Sequence, residues 1–207
     1  MDSFIIDTNF FFNLEIKSGF GKNPNEIITS LTDMAKKLKK EKKAELFMPA
    51  SIVDEFKTFM EEGSEIAKEL LATVTVKSPN MENIKFPASV FYKLVDESRS
   101  RSYRGLQIAE EIADQAGKLM LAKQDLSKID YQKTIGAVIN KLRERYRQAT
   151  RFNFLDSVAD LDLIVMAKEL DGSLVSSDEG VIRWGRIFGI KEISPELFRS
   201  RLVSLLQ

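Results

Sequence analysis

Histidine and cysteine are both missing from this chain of 207 residues. Without cysteine there can be no disulfide, no thiolate nucleophile and no zinc–thiolate site. Without histidine the chain lacks the most common general base and the usual ligand of transition metals. A hydrolase built from this sequence would have to rely on carboxylates that hold a metal ion, because a bound metal can activate water. A serine–lysine nucleophile is formally open, but no segment indicates one.

Long hydrophobic runs and an excess of charge are missing as well. No stretch approaches the roughly 18 apolar residues of a membrane span, and the acidic start at 1–3 is unlike a signal peptide. These features predict a cytoplasmic protein without membrane contact. The formal net charge is +0, so any affinity for nucleic acid must come from local patches.

Short apolar runs alternate with helical patterns at both ends of the chain. The runs at 4–6, 45–49, 72–76, 174–175 and 190–193 are typical of strands. Helices are predicted over 24–43 and from Ser51, where Ser51 to Asp54 has the capping-box pattern and the first turns present Glu55. This alternation predicts an α/β fold with a central parallel sheet flanked by helices.

The segment 88–151 interrupts that alternation. It contains no proline and no strand pattern. Two long helices, about 89–123 and 128–151, are predicted with a junction near 124–127, which together form an antiparallel hairpin. The predicted organisation is therefore one α/β domain made of 1–87 and 152–207, with 88–151 inserted as a protruding two-helix hairpin.

Four aspartates form the candidate site. Asp156 and Asp160 are four residues apart in a segment, 154–170, that has helical periodicity, so they would share one helix face. Asp7 and Asp178 each follow a short apolar run, and ligands of open α/β sheets bind beyond the carboxyl ends of strands. Carboxylate oxygens are the ligands that Mg²⁺ and Mn²⁺ prefer. All four are predicted to be catalytic and to bind the metal.

Plainer explanations exist for these acids. Asp156 could cap the helix, Asp160 and Asp162 could be solvated helix residues, and aspartates at strand ends are common in turns. The run Phe10 to Phe12 likewise fits either core packing or a surface on which bases stack.

Positive charge is concentrated in the predicted hairpin. Residues 88–151 contain thirteen lysines and arginines and eight acids, a net charge of +5, so the rest of the chain carries −5. Tyr103 and Tyr146 are interleaved with the arginines at the two ends, a combination that suits contact with RNA phosphates, although a solvated helical surface explains part of it. The predicted RNA-binding residues are Arg99, Arg101, Arg104, Lys141, Arg143, Arg145, Arg147 and Arg151.

The order of these motifs resembles the PIN-domain nuclease pattern over about 1–76 and 152–207. The motifs are Asp7-Thr8-Asn9 after the first strand, Glu55 early in a helix, Asp160 ahead of an apolar run, and Ser176-Ser177-Asp178 after a later strand. The resemblance implies metal-dependent hydrolysis of a phosphodiester. Asn9, Ser176 and Ser177 would orient the carboxylates, and Glu55 and Asp162 would be secondary members of the site.

With its inserted hairpin, the chain is similar to the minimal protein-only ribonuclease P family HARP, the homologues of the Aquifex enzyme. That family has one acid after the first strand, two spaced by four, and one eighteen residues later, a spacing matched by Asp7, Asp156, Asp160 and Asp178. The resemblance implies removal of the 5′ leader from precursor tRNA without an RNA subunit. It also implies that the hairpin contacts the tRNA elbow and joins dimers into a dodecamer.

Two other functions remain open. A PIN ribonuclease of another kind, such as the toxin of a toxin–antitoxin pair, would share the acids, although such toxins usually lack the insertion. A PIN fold could also serve as a scaffold that binds RNA without cleaving it, but a scaffold has no need of four mutually repelling carboxylates.

Overall fold

A parallel sheet of five short strands organises the part of the chain that carries the acids. The computed structural model describes residues 1–82, 84–122, 126–155 and 157–207, and the strands named here are those of that part. They are β1 (Asp2–Ile6), β2 (Ala44–Pro49), β3 (Thr75–Lys77), β4 (Ser173–Val175) and β5 (Lys191–Ile193), in the spatial order β3-β2-β1-β4-β5. Every pairing is parallel, and the buried runs of β1 and β2 fit a sheet covered on both faces.

Helices connect the strands and cover the sheet. In chain order they are α1 (Asn9–Phe12), α2 (Pro24–Lys40), α3 (Ala50–Thr58), α4 (Glu65–Thr73), α5 (Ala88–Leu121), α6 (Lys128–Thr150), α7 (Val158–Glu169), α8 (Glu179–Ile187) and α9 (Pro195–Leu206). The local sequence explains the start of α2. The side chain of Asn23 caps the helix by accepting the Glu26 N–H at 2.9 Å, and Pro24 occupies the first helical position, where a backbone N–H has no partner within the helix. The predicted α/β fold with a central parallel sheet is confirmed.

The chain forms two structural units. The first contains Met1–Phe86 and Leu155–Gln207, and the second contains Pro87–Phe154. The first unit is built around α7, in which every residue from 162 to 167 is buried. Just before β4 the backbone passes so close to β1 that only glycine fits at position 172. A Cβ on Gly172 would lie 2.6 Å from Cδ1 of Ile5 and 2.8 Å from the carbonyl oxygen of Ser3.

The second unit is the hairpin of α5 and α6. The helices approach closely at Gly105, where a Cβ would lie 2.7 Å from the ring of Tyr146. Glu111 pairs with Arg145 at 2.7 Å, and Gln115 accepts a hydrogen bond from Lys141 at 2.9 Å, so polar contacts also join the two helices. None of the helices in the described residues is both long and apolar enough to cross a membrane.

Three local predictions were wrong. Helix α3 begins at Ala50 with Pro49 as its N-cap, so Ser51 is not a cap. Residues 72–73 end the unpredicted helix α4, and only Thr75–Lys77 form the strand. Helix α7 begins at Val158 behind its N-cap Ser157, so Phe154 and Leu155 precede it. Hydrophobic periodicity locates an element but does not fix its first and last residues.

Candidate metal centre

The candidate site lies where β1 and β4 end side by side. Ile6 pairs with Val175 in the parallel register, and the N–H of Asp7 donates to the carbonyl of Val175 at 3.1 Å. The residues after the two strands, Asp7 and Ser176, are therefore neighbours. The chain builds the sheet in one direction from β1 to β3 and in the other through β4 and β5, so this edge is the topological switch point at which open α/β sheets bind ligands.

Asp7 is a buried carboxylate in a set of fixed hydrogen bonds. Only 3% of the surface of Asp7 is exposed to solvent. The Ser176 hydroxyl donates to Oδ2, the Asn9 backbone N–H donates to Oδ1 at 3.4 Å, and the Asn9 side-chain amide donates to Oδ2 at 3.4 Å. The pKa of Asp7 is raised to about 6, chiefly by burial and to a smaller extent by the charges of Asp178 and Glu55, although the hydrogen bonds from Ser176 and Asn9 lower it.

Asp178 is held by two contacts beyond β4. As the N-cap of α8 it accepts the Val181 N–H at 2.9 Å, and its own N–H donates to the Ser176 hydroxyl at 3.0 Å. Ser176 therefore joins the carboxylate of Asp7 to the backbone of Asp178. Ser177 is held separately, since its hydroxyl accepts from the side-chain amide of Asn13 at 3.3 Å. Ser176 therefore sets the spacing of the two strand-end acids.

Glu55 reaches the same site from α3. Its charge raises the pKa of Asp7, and burial raises the pKa of Glu55 itself. The Thr8 hydroxyl donates to the carbonyl of Ile52 at 3.4 Å and so ties the turn after β1 to the helix that carries Glu55. Glu55 is thus an electrostatic neighbour of Asp7.

Helix α7 carries two other acids that were predicted for the site. Asp160 lies in its first turn with a partly buried side chain, and its N–H donates to the Ser157 hydroxyl at 3.0 Å. Asp162 is buried, with Oδ2 accepting the Ser51 hydroxyl at 2.7 Å and Oδ1 without a hydrogen-bond partner. Asp156 lies outside the described residues, so its predicted pairing with Asp160 stays a prediction.

Three acids of the site have no positively charged partner among the described residues. Throughout the described ranges, no lysine or arginine forms an ion pair with Asp7, Glu55 or Asp178. A buried carboxylate without a cation, such as that of Asp7, is costly, and oxygen donors alone suit a hard divalent ion. The chemistry of these oxygen donors therefore suits such an ion. Among the described residues, which do not include Asp156, no group of three acids is spaced to hold a metal ion.

The predicted RNA-binding residues divide into two groups. Arg101 is only 7% exposed, donates to the carbonyls of Thr150, Phe152 and Asn153, and lies 4.6 Å above the ring of Phe154. Its guanidinium holds the end of the hairpin together, and its contact with RNA stays a prediction. Arg145 is partly buried, and the others are exposed: Arg99, Arg104, Lys141, Arg143, Arg147 and Arg151.

Several residues that shape the site were not predicted. Asn13, Thr8 and Ser51 act through contacts with residues far away in the chain, for which the sequence carries no local signal. Ser157 could have been found, because Ser157-Val158-Ala159-Asp160 has the same capping-box pattern that was misassigned at Ser51.

Known proteins match the whole of this chain. The model of the PINc domain ribonuclease family matches residues 3–207. The RNA-free ribonuclease P of Pyrococcus furiosus is 35% identical over 207 residues, which cover 100% of this chain and 96% of that protein. The RNA-free ribonuclease P of Alkalilimnicola ehrlichii is 34% identical over 205 residues, with 99% and 98% covered. That of Thermodesulfovibrio yellowstonii is 33% identical over 202 residues, with 98% and 94% covered. The resemblance predicted from the motifs is confirmed.

Proposed function

The chain belongs to the PINc domain ribonuclease family, and from this premise we propose that it is a protein-only ribonuclease P. It hydrolyses one phosphodiester of precursor tRNA and releases the 5′ leader, without an RNA subunit. The observation that carries the proposal is similarity over the full length, hairpin included, to proteins named RNA-free ribonuclease P. A shared nuclease core alone would have left the segment 88–151 unmatched.

The acidic residues of the site are proposed to bind a divalent metal ion. PIN ribonuclease domains generally depend on a divalent metal, and Mg²⁺ or Mn²⁺ is the ion proposed here. Asp7, Asp160 and Asp178 would hold it, together with Asp156, which lies outside the described residues. Such an ion lowers the pKa of the attacking water and offsets negative charge at the scissile phosphate. The products are a 5′-phosphate on the mature tRNA and a leader that ends in a 3′-hydroxyl.

The surrounding polar groups fix the acids before substrate arrives. Ser176 and Asn9 donate hydrogen bonds to Asp7 and so set the orientation of its carboxylate. Asp178 is fixed as a helix cap. Holding the donors in place in advance means that little reorganisation is needed during the reaction. Glu55 adds negative charge beside them, which strengthens attraction for a cation.

The hairpin, 88–151, is proposed to contact the elbow of the tRNA, while 1–87 and 152–207 form the nuclease domain. Exposed basic residues of the hairpin support this role. Neutralising Arg143 and Arg147 should weaken tRNA binding and reduce the dependence of affinity on salt by about one phosphate contact each. Binding curves at several salt concentrations test this, with Lys168→Ala as the matched control in the first structural unit, Met1–Phe86 and Leu155–Gln207, which is called the nuclease unit below. An unchanged salt slope would count against the role.

Self-assembly through the hairpin is also proposed, with dimers joined into a dodecamer. Helix α6 buries none of its residues, and apolar side chains along α5 and α6, including Leu106, Leu119 and Ile139, stay exposed in the single chain. Contact with another copy would cover them. Light scattering on the purified protein should give the mass of an assembly, and Leu106→Glu should lower it. A monomeric mass for the unmodified chain would refute this part.

Cleavage of a 5′-labelled precursor tRNA, with Mg²⁺ and with EDTA, tests the main proposal. One cut at the leader junction that requires Mg²⁺ is the expected result. Scattered cuts would instead indicate another kind of PIN ribonuclease. No cleavage and no metal binding by calorimetry would indicate a scaffold that binds RNA.

A further inference from the structure

Phe12 and Phe59 form a partly exposed aromatic pair on the nuclease unit. Their ring centroids are 4.8 Å apart and their planes meet at 29°, so the rings are stacked. Of the three consecutive phenylalanines, Phe10 and Phe11 are buried in the core, whereas Phe12 lies at the surface end of the run. Phe59 is 56% exposed. Phe12 therefore supports one side of Phe59, and much of the Phe59 ring remains open to solvent.

Both rings are carried by segments that hold the candidate metal centre. Phe12 ends α1, between Asn9, which bonds to Asp7, and Asn13, which bonds to Ser177. Phe59 follows α3 and lies four residues after Glu55, hence on the same side of that helix and about 6 Å further along its axis. Each ring thus lies about one helical turn along the chain from a residue of the candidate centre, Phe12 from Asn9 and Phe59 from Glu55.

The pair borders a cleft of about 610 Å³, large enough for a small ligand. Asn23, Asn25 and Ser64 line it with polar groups, and Glu61 and Glu65 add carboxylates. A carboxylate repels phosphate but accepts hydrogen bonds from the amino groups of bases. An aromatic face beside such groups suits a nucleobase, because unpaired bases of RNA are recognised by stacking and by hydrogen bonds to their edges.

We propose that Phe59, supported by Phe12, is the stacking surface for one unpaired nucleobase of the RNA substrate, close to the phosphodiester that is cut. This inference rests on the proposed function, because it assigns a binding subsite next to the same acids. It gives the nuclease unit a contact with RNA that does not depend on charge. Stacking on Phe59 would position the unpaired RNA next to the double-stranded stem, while basic residues of the hairpin bind phosphates.

Binding to a short fluorescein-labelled oligoadenylate, in EDTA, tests the subsite apart from cleavage. Phe59→Ala should weaken binding about five- to a hundredfold, the range found when one base loses its aromatic partner. Phe59→Tyr should bind like the unmodified chain, and Phe59→Leu should bind like the alanine variant. The salt dependence should be the same for all of them, because no phosphate contact is lost. Leu197→Ala, at another exposed apolar position of the same unit, is the matched control.

Equal affinity of the alanine, leucine and tyrosine variants would overturn the inference. So would equal loss in the control. The exposure of Phe59 means that its variants should fold, and thermal unfolding checks that they do. Phe12 is unsuitable for this test, because it also packs on Phe11 and Phe56.

Cleavage assays identify which nucleotide of the substrate stacks on Phe59. Single-turnover reactions would use a set of precursor tRNAs, each lacking one base near the cut. Phe59→Ala should cleave more slowly than the unmodified chain on every substrate except the one that lacks the stacked base, where the two rates should be equal. The same defect on every substrate would overturn the inference. The two proposals fail separately: an unmodified chain that does not cut precursor tRNA refutes the ribonuclease P proposal, whereas the oligoadenylate measurement still decides the role of Phe59.

Discussion

Replacing Asp7 by asparagine should abolish cleavage and at the same time stabilise the metal-free protein. Asp7 is buried beside Asp178 and Glu55, and no cation of the described residues pairs with it. Its pKa is raised from 3.8 to about 6, which means that the folded protein opposes ionisation of this group. Asparagine has nearly the same shape and carries no charge.

The size of the effect follows from that shift. About two pKa units correspond to roughly 3 kcal/mol of free energy of unfolding that the ionised carboxylate removes at neutral pH. Asparagine offers one acceptor oxygen in place of two, so part of the bonding from Ser176 and Asn9 is lost, at a cost of about 1 kcal/mol. The net gain is about 2 kcal/mol, which for a chain of this size raises the melting temperature by about 4–8 °C.

The gain must depend on pH in a definite direction. Because the folded pKa of Asp7 lies above its unfolded value, its favourable contribution is fully present below about pH 3.8 and is lost as pH rises to about 6. The advantage of Asp7→Asn should therefore grow across this interval and stay constant above it. Below the interval the variant should be slightly less stable, since only the lost hydrogen bonding remains.

Thermal unfolding in EDTA, followed by circular dichroism from pH 4 to 7.5, measures this difference. Asp54→Asn is the matched control, since Asp54 is an exposed acid on α3 and its loss should change the free energy of unfolding by no more than about 0.5 kcal/mol. Mg²⁺ should then stabilise the unmodified chain and not Asp7→Asn. If Asp7→Asn is less stable than the unmodified chain at pH 7.5 in EDTA, the electrostatic account of the site is wrong.

Three other predictions concern residues around the site and in the hairpin. Asp178→Asn should lose cleavage but keep the cap of α8, whereas Asp178→Ala should also lower the free energy of unfolding by about 1 kcal/mol, as measured by denaturant titration. Ser51→Ala should lower it by about 1–3 kcal/mol, because buried Asp162 loses its donor. Arg101→Met should destabilise the hairpin by about 3 kcal/mol or more in the same assay, whereas Arg143→Ala should leave stability unchanged and weaken tRNA binding.

Each of these has a result that contradicts it. Equal stability of Asp178→Asn and Asp178→Ala would show that the side chain of Asp178 does not stabilise α8 as a cap. An unaffected Ser51→Ala would mean that another group satisfies Asp162. If Arg101→Met folds normally and binds tRNA more weakly, the guanidinium contacts RNA after all, and the carbonyls it holds are not essential.

The sequence predicted the fold because short apolar runs and helical periodicity are local properties. Continuous runs such as 4–6 indicated buried parallel strands, and the absence of proline over 88–151 indicated long helices. Boundaries were less predictable. Ser51 and Ser157 both begin capping-box patterns, but only Ser157 caps a helix, since the Ser51 hydroxyl bonds to Asp162 instead. No local rule separates the two serines.

Motif spacing also indicated the candidate acids, and parallel strand ends placed Asp7 and Asp178 at one edge. The sequence could not assign a different role to each arginine. Arg101 lies among similar residues in the chain, yet it is buried under carbonyl groups that approach it only in the folded hairpin.

By itself, then, the sequence determined the parallel sheet, the inserted hairpin and the acidic character of the site, because these depend on composition and periodicity. Only the tertiary structure decided how the site is held and charged. Ser176 reaches Asp7 across 169 positions of the chain, and the raised pKa of Asp7 comes from burial and from neighbours on α3 and beyond β4. Such contacts depend on which faces meet when the elements pack, and local sequence carries no record of that.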